Sequence, residues 1–286
     1  MKWRHLRRSR NVRDMRSAGG ASGFRLPGGK RGGIGLIVIA VIAVLIGGPE
    51  ALNVLFSGGI PLDNADGSGA ARSSAPANDT ETQFIASILG STEDVWGGLF
   101  SGAGRSYEAP LLTLFDGSVS SACGYASAAS GPFYCPADRR VYLDTSFFDQ
   151  LARMGGAGDF AQAYVIGHEI GHHIQNLLGT ATRVREQQRA AGEAAANRLQ
   201  VAMELQADCF AGVWAARADS RQRVLEAGDI DEGLAAAAAI GDDTLQRNAG
   251  RRVTPDSFTH GSSAERQQWL SIGLRSGDPG TCSTFD

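Results

Sequence analysis

The chain has 286 residues, 43% of them hydrophobic, and its 27 basic and 30 acidic residues give a formal net charge of −3. This length is enough for one full hydrophobic core and a small appendage. Ten basic residues lie within residues 1–31 beside a single acid, so the rest of the chain is strongly acidic. An acidic body argues against nucleic acid as a partner, because phosphate binding requires clustered cations on the folded surface.

The first 56 residues have the pattern of a membrane anchor. An apolar run covers Ile34–Ile46, and Ala51–Phe56 continues it after a short break. A buried core helix or a cleaved signal peptide would be the alternatives. However, a core helix does not usually follow ten cations, and no clear small-residue cleavage site follows the run. We therefore predict a basic cytoplasmic tail over residues 1–31, one N-terminal transmembrane helix over 32–56, and the remaining chain outside the cytoplasm.

Residues 57–80 are mostly Gly, Ser, Ala, Pro, Asn and Asp with few large apolar side chains, which predicts a flexible linker. Residues 81–286 then form one predicted domain. Its first apolar residues, between Phe84 and Leu99, indicate two short amphipathic helices.

A few short strands are predicted next. Leu111–Phe115 is an apolar run that ends at a turn, and the segments at 133–134 and 141–143 indicate a hairpin or two adjacent strands. From Ser146 onward the sequence is overwhelmingly helical. The predicted fold class is therefore α+β, mostly helical, with a small β-sheet.

All four cysteines follow the predicted anchor, as expected for a compartment in which disulfides form. They contain no CxxC pair of the kind that zinc knuckles use. Four cysteines allow three pairings, among which we favour Cys123 with Cys135 and Cys209 with Cys282.

Three helices dominate the second half of the predicted domain. In Asp159–Leu178 the apolar residues recur at intervals of three and four, so one face of this helix points to a core. A second helix is predicted over about Thr182–Ala216, and a third begins at Asp229.

The first of these helices carries a His-Glu-x-x-His motif. His168 and His172 are four residues apart and project from one helix face, so both imidazoles can bind one zinc ion. Glu169 lies about a quarter turn away, beside the open coordination position, where its carboxylate can take a proton from a zinc-activated water. The motif alone is short enough to occur by chance, and two histidines on a solvated helix face are its alternative interpretation.

The third zinc ligand is predicted from the next helix. The metzincin pattern would need Gly and His at positions 175 and 178, which hold Gln175 and Leu178. Instead, Glu204 and Asp208 lie one turn apart in an apolar stretch that is unlike an exposed helix surface. Glu204 can complete the metal triad, and Asp208 can accept the free ring N–H of a ligand histidine.

At these motifs the chain resembles a known family, the neutral zinc metallopeptidases of bacteria. The resemblance implies a zincin or gluzincin-like domain, a peptide or protein substrate, and a single-pass protein of the bacterial inner membrane. It covers nearly the whole chain. The motifs that carry it are the segment around 8–14, the single anchor, Gly131–Asp138, Val141–Asp144, His168–His173, Glu204–Ala215, Ala238–Asp243 and Thr259–Gly261.

Other residues are candidates for roles beside the metal. His260 could donate a hydrogen bond to the oxyanion, as a downstream histidine often does in gluzincins, or it could be a surface or capping residue. His173 points to another side of the helix and is expected to pack or to support the site. Tyr134 and Tyr142 could stabilise an oxyanion or belong to the core. Their strands could offer an edge along which an extended substrate pairs.

The predicted function is zinc-dependent hydrolysis of peptide bonds, with Glu169 as general base. A catalytically silent zinc-bound scaffold or binding module of the cell envelope is the alternative, and a purely structural protein is a third. Glu169 argues against the scaffold, because metal retention alone would not require it. The sequence does not indicate an oligomeric state.

Overall fold

The computed structural model describes residues 1–16 and 79–285. These residues form a mostly helical α+β fold with two small sheets, which confirms the predicted class. Their strands are β1 (Val12–Asp14), β2 (Leu111–Phe115), β3 (Ser118–Ser121), β4 (Gly124–Ser127), β5 (Phe133–Cys135) and β6 (Arg140–Asp144). Their α-helices are α1 (Thr80–Gly102), α2 (Ser146–Arg153), α3 (Asp159–Leu177), α4 (Thr180–Ala190), α5 (Glu193–Gln222), α6 (Asp229–Ala239), α7 (Asp242–Asn248) and α8 (Ser263–Ser276).

Helix α5 is the centre of the helical layer and packs against α3, α4 and α8. Its crossing with α8 is close enough to require glycine on both helices. A Cβ atom at Gly212 would lie 2.3 Å from the Leu270 carbonyl oxygen, and one at Gly273 would lie 2.0 Å from the Cys209 carbonyl oxygen. Any larger residue at either position would therefore push the two helices apart.

The main sheet has the strand order β1-β2-β6-β5. Strand β2 pairs in parallel with both β1 and β6, whereas β5 runs antiparallel to β6 and lies beside α3 at one edge of the sheet. Of the two predicted arrangements near 133 and 141, a hairpin or two adjacent strands, the structure has the hairpin, because β5 and β6 are consecutive and antiparallel. Strands β3 and β4 form a separate antiparallel hairpin.

The two disulfides pair Cys123 with Cys135 and Cys209 with Cys282, which confirms the favoured pairing. The first joins the β3–β4 turn to β5. The second ties the C-terminal segment to α5.

Two predicted helix boundaries were wrong. Residues 84–99 belong to one helix, α1, rather than two. Its internal Gly90 is explained by packing, because a Cβ atom there would lie 2.2 Å from the Arg7 carbonyl oxygen. The helix predicted over 182–216 is divided into α4 and α5 at Ala191, whose backbone is extended, and Gly192, which caps α5.

Residues 1–16 form an N-terminal arm that belongs to the folded domain. Strand β1 pairs with β2, with Val12 opposite Leu112. Trp3 is buried edge-on against Phe84 of α1, with ring centroids 5.4 Å apart. The terminal ammonium group of Met1 lies 2.7 Å from a carboxylate oxygen of Asp159, the first residue of α3. The arm therefore supports the sheet, α1 and the start of α3 together.

The prediction of a separate basic tail was therefore wrong for residues 1–16. Two of the basic residues that were assigned to the tail instead form ion pairs with acidic residues of the domain. Arg7 forms ion pairs with Glu93 and Asp94, each at 2.8 Å. Arg16 pairs with Asp79 at 2.9 Å and with Glu81 at 2.8 Å.

Among residues 1–16 and 79–285, no helix is both long and apolar enough to cross a membrane. The predicted anchor at 32–56 and nearly all of the predicted linker at 57–80 lie outside the described residues. A single crossing there would place β1 and β2 on opposite sides of a membrane, which their pairing does not allow. Residues 1–16 therefore lie on the same side of any membrane as the domain that contains β2.

Candidate metal centre

The close contact of α3 and α5 brings the predicted metal ligands together. Two glycines on α3 make this contact possible. A Cβ atom at Gly171 would lie 2.8 Å from the Ala207 carbonyl oxygen, and one at Gly167 would lie 2.8 Å from the ring of Trp214. With no side chain at either position, α5 can approach α3 closely enough for its carboxylates to reach the histidines.

His168, His172 and Glu204 form one compact group. One Glu204 carboxylate oxygen, Oε2, lies 3.1 Å from Nε2 of His168 and 3.4 Å from Nε2 of His172. One ligand atom from each residue lies within 4.8 Å of the others. Two imidazole nitrogens and one carboxylate oxygen are a donor set that suits catalytic zinc and leaves a fourth position open. The three predicted ligands therefore meet at one point and fit the ion.

The electrostatics of the group favour a cation. Burial alone would raise the pKa of Glu204, but His172 and His168 outweigh it and hold that pKa well below its usual range. Burial alone would lower the pKa of His168, but the Asp208 and Glu204 carboxylates raise it to about 10. The pocket therefore stabilises positive charge, and a metal ion that binds there displaces protons from the imidazoles.

His168 is held by a buried charged network. Its Nδ1 lies 2.8 Å from Oδ1 of Asp208, the contact expected for that carboxylate. Asp208 also accepts hydrogen bonds from Nε of Arg266 at 2.8 Å and from the hydroxyl group of Tyr164 at 2.5 Å. Asp208 and Tyr164 are almost inaccessible to solvent, and Arg266 is 2% exposed. Although burial opposes the charge, Arg266 and His168 lower the pKa of Asp208 to about 2.

His172 is held by a neutral side chain. Its Nδ1 lies 2.9 Å from Oε1 of Gln175, which is fully buried. The second carboxylate oxygen of Glu204, Oε1, accepts a hydrogen bond from Nε2 of Gln200 at 2.8 Å.

Four of these supporting residues were not predicted from the sequence: Tyr164, Gln175, Gln200 and Arg266. Tyr164 is four residues before His168, and Gln175 is three residues after His172, so helical spacing alone could have indicated both. No local signal indicates Arg266, which reaches Asp208 only because α8 crosses α5.

Glu169 is buried and lines the same cleft as the metal ligands. The cleft has a volume of about 710 Å³. Its walls are mainly apolar, and they come from the β5 segment, α2, α3, α4, α5, the α6–α7 connection and α7. The side chains that contribute include Phe133, Tyr134, Phe147, Met154, Val184, Met203, Ile240 and Leu245.

His260 also lines the cleft and is held by Asp242. One Asp242 oxygen accepts backbone hydrogen bonds from Thr259, His260 and Gly261 at 2.7, 2.6 and 3.1 Å. Its other oxygen lies 3.4 Å from Nδ1 of His260, and the Thr259 hydroxyl oxygen lies 3.1 Å from the same nitrogen. The turn places the His260 imidazole at the edge of the cleft.

His173 supports the wall of the cleft. Its Nε2 donates to the Glu108 carbonyl at 2.7 Å, so its Nδ1 accepts the hydroxyl hydrogen of Tyr134 at 3.0 Å. Burial lowers the pKa of His173 to about 4. Tyr134 also accepts a hydrogen bond from Asn176. The Tyr134 proton is therefore already engaged, which does not support an oxyanion role for this residue.

Tyr142 has a packing role instead. Its hydroxyl group donates to Asp138 at 2.7 Å, and its ring stacks on Phe133 with centroids 4.9 Å apart.

Two helices thus bring the His-Glu-x-x-His histidines and a glutamate together as a candidate metal site. Residues 1–285 match the family described as "Putative neutral zinc metallopeptidase". The chain belongs to this family.

Alignments with related proteins cover most or all of the chain. It is 47% identical to "Uncharacterized protein YpfJ" of Escherichia coli (strain K12) over 291 aligned positions, which cover 100% of this chain and 99% of the relative. It is 43% identical to "Uncharacterized protein Rv2575" of Mycobacterium tuberculosis over 225 positions, or 75% of this chain and 74% of the relative. No solved structure matches the chain.

Proposed function

We propose that the protein is a zinc-dependent metallopeptidase that hydrolyses peptide bonds. The observation that carries this proposal is the position of Glu169 in the cleft beside His168, His172 and Glu204. The three ligands would hold the ion, and Glu169 adds the acid–base group that a zinc-binding scaffold would not need.

The chain's own residues supply the steps around the ion. A bound zinc ion would provide the Lewis acidity that activates water and polarises the scissile carbonyl. Glu169 takes the proton of the attacking water and passes it to the leaving amine. His260, fixed by Asp242, donates a hydrogen bond to the oxygen on which negative charge develops. On this basis, His260→Gln lowers kcat and leaves zinc affinity unchanged.

The substrate would bind as an extended peptide along β5. This strand pairs with β6 on one side and is an edge of the main sheet on the other. Phe133 and Tyr134 of β5 line the cleft, so a peptide paired with this edge would pass the metal ligands. Backbone pairing of this kind binds a substrate without selecting its sequence.

The test is peptide cleavage by the purified full chain, with zinc quantified, beside Glu169→Gln. The full chain is needed because the arm is part of the fold. We expect stoichiometric zinc in both proteins and a loss of about 10²- to 10⁴-fold in kcat/KM for the variant. Zinc without cleavage by the wild-type protein, across a broad peptide library, would instead support the scaffold alternative. Folded protein without bound zinc would exclude both.

We further propose that the arm and the domain lie together on one side of the membrane, outside the cytoplasm. The two disulfides favour an oxidising compartment, and the β1–β2 pairing requires one side for both parts. Cysteines introduced at two exposed sites, Arg10→Cys and Thr182→Cys, should both react with a membrane-impermeant thiol reagent in intact cells. Labelling at only one of the two would contradict this arrangement.

A further inference from the structure

A relay of amide hydrogen bonds leads from His172 to the C-terminal disulfide. Oε1 of Gln175 lies 2.9 Å from Nδ1 of His172, and Nε2 of Gln175 lies 3.2 Å from Oε1 of Gln206. Nε2 of Gln206 in turn donates to the Cys282 carbonyl oxygen at 2.8 Å. Two neutral amide side chains thus connect His172, a predicted metal ligand, to Cys282, more than a hundred positions away in sequence.

Two backbone carbonyls fix the direction of this relay. A carbonyl oxygen can only accept, so the amide nitrogen of Gln206 must face Cys282 and its Oε1 must face Gln175. Nε2 of Gln175 likewise donates to the Met203 carbonyl at 2.7 Å, which turns its Oε1 toward His172. Neither amide can be reversed without placing two acceptors against each other.

The relay therefore selects one tautomer of His172. Because Oε1 of Gln175 accepts, Nδ1 of His172 must carry the hydrogen. The lone pair is then on Nε2, the atom that faces Glu204 at 3.4 Å. A ligand histidine whose other nitrogen is held in this way is oriented and ready to bind metal.

The last acceptor of the relay depends on a disulfide. Cys282 lies beyond α8, in the C-terminal segment, and is joined to Cys209 of α5. Both cysteines and Gln175 are buried. Besides this link, Thr284 donates to the Ala202 carbonyl at 2.6 Å. Without the disulfide, the segment loses its covalent attachment to the helix that carries Glu204.

We propose that Gln175 and Gln206 are positioning residues for His172, and that the Cys209–Cys282 disulfide maintains their orientation. This inference rests on the proposed metal site. It assigns the disulfide a function in the metal centre that a general stabilising link would not have. Oxidation of this cysteine pair then increases zinc affinity, and reduction decreases it.

The test measures zinc affinity by competition with a chromophoric chelator, without any peptide substrate. Gln175→Met keeps the size of the side chain but removes the acceptor, and we expect about 10- to 100-fold weaker zinc binding. Gln175→Glu keeps an acceptor for Nδ1–H, but its second oxygen faces the Met203 carbonyl and Oε1 of Gln206, so it should recover only part of that loss. Equal affinities for wild type and a folded Gln175→Met would overturn the role of Gln175.

The disulfide is tested with a matched pair of double variants. Cys209→Ser with Cys282→Ser should weaken zinc binding by about three- to tenfold, the size of one neutral hydrogen bond. The control, Cys123→Ser with Cys135→Ser, removes the disulfide near β5 and should leave zinc affinity unchanged. The absorption spectrum of bound Co²⁺ should change in the first double variant only. An equal loss of affinity in both would show a general stability effect and overturn the proposal.

The outcome is separable from that of the proposed function. A wild-type protein that binds zinc but cleaves no peptide would exclude the peptidase activity while these affinity differences could still be measured. A wild-type protein that binds no zinc would overturn both.

Discussion

The two metal-ligand histidines project from one face of α3 but are supported in different ways. His168 is held by a buried carboxylate, Asp208, which is itself paired with Arg266. His172 is held by the neutral amide of Gln175. A charged partner makes an imidazole a stronger electron donor as well as orienting it, whereas an amide mainly orients it. The comparison indicates that the His168 side contributes to both stability and metal affinity, whereas the His172 side contributes to metal affinity by orienting the imidazole.

The largest effect is expected from Asp208→Asn, which would remove the carboxylate charge that pairs with Arg266 and supports His168. The substitution leaves Arg266 buried, 2% exposed, without its anion. The free energy of unfolding should fall by about 3–5 kcal/mol, and zinc affinity should fall by about 10- to 100-fold. Urea unfolding and chelator competition measure the two effects.

The control is the double variant Asp208→Asn with Arg266→Gln. Removing both charges should restore part of the stability but not the zinc affinity. A double variant as unstable as Asp208→Asn alone would show that an unpaired Arg266 is not the cause of the loss.

A pH effect of intermediate size is expected from His173, the third histidine of α3, which supports Tyr134 rather than the metal. Its pKa is about 4 in the folded protein, against an ordinary value of 6.5. The unfolded chain therefore binds more protons between these values. The contribution of His173 to the free energy of unfolding should be fully present above pH 6.5. It should decrease as the pH falls toward 4, by on the order of 3 kcal/mol at most.

Urea unfolding at several pH values measures this dependence, and His173→Gln is the comparison. The variant has no group that titrates at this position, so its stability should change less between pH 6.5 and 4. An identical slope in both proteins would assign the pH dependence to other groups.

The smallest effect is expected from Tyr164→Phe, which removes one of the donors to Asp208 and leaves the charges in place. The hydroxyl group donates to Asp208 at 2.5 Å. A hydrogen bond to a charged acceptor contributes about 1.5 kcal/mol, so stability should fall by that amount and zinc affinity by less than tenfold. A loss as large as that of Asp208→Asn would mean that the hydroxyl group, rather than Arg266, keeps the carboxylate in place.

The sequence predicted the metal ligands better than it predicted the residues that support them. His168 and His172 follow from the period of one helix, and Glu204 and Asp208 from the period of another. Their meeting depends on Gly171, whose missing side chain lets α5 approach, and glycine inside a helix is not specific enough to predict a contact. Arg266 was missed because it joins the network through a helix crossing that no local pattern encodes.

The N-terminal arm shows the opposite outcome. Cations ahead of an apolar run are typical of a membrane anchor, and this pattern led to a wrong assignment for residues 1–16. The acids that pair with Arg7 are Glu93 and Asp94, more than eighty positions away. A single sequence cannot show that these charges meet, because their pairing depends on how α1 and β2 place the arm.

The arm has a consequence for how copies of the chain meet. Strand β1 is joined to α1 only through residues 17–78, so the arm could leave its own β2 and pair with the β2 of another copy by the same contacts. This is the condition for domain swapping. A truncated chain that begins at residue 81 would expose the unpaired edge of β2, a template for intermolecular strand addition. Such a fragment is expected to self-associate, and a synthetic peptide of residues 1–16 should suppress that association by occupying the edge.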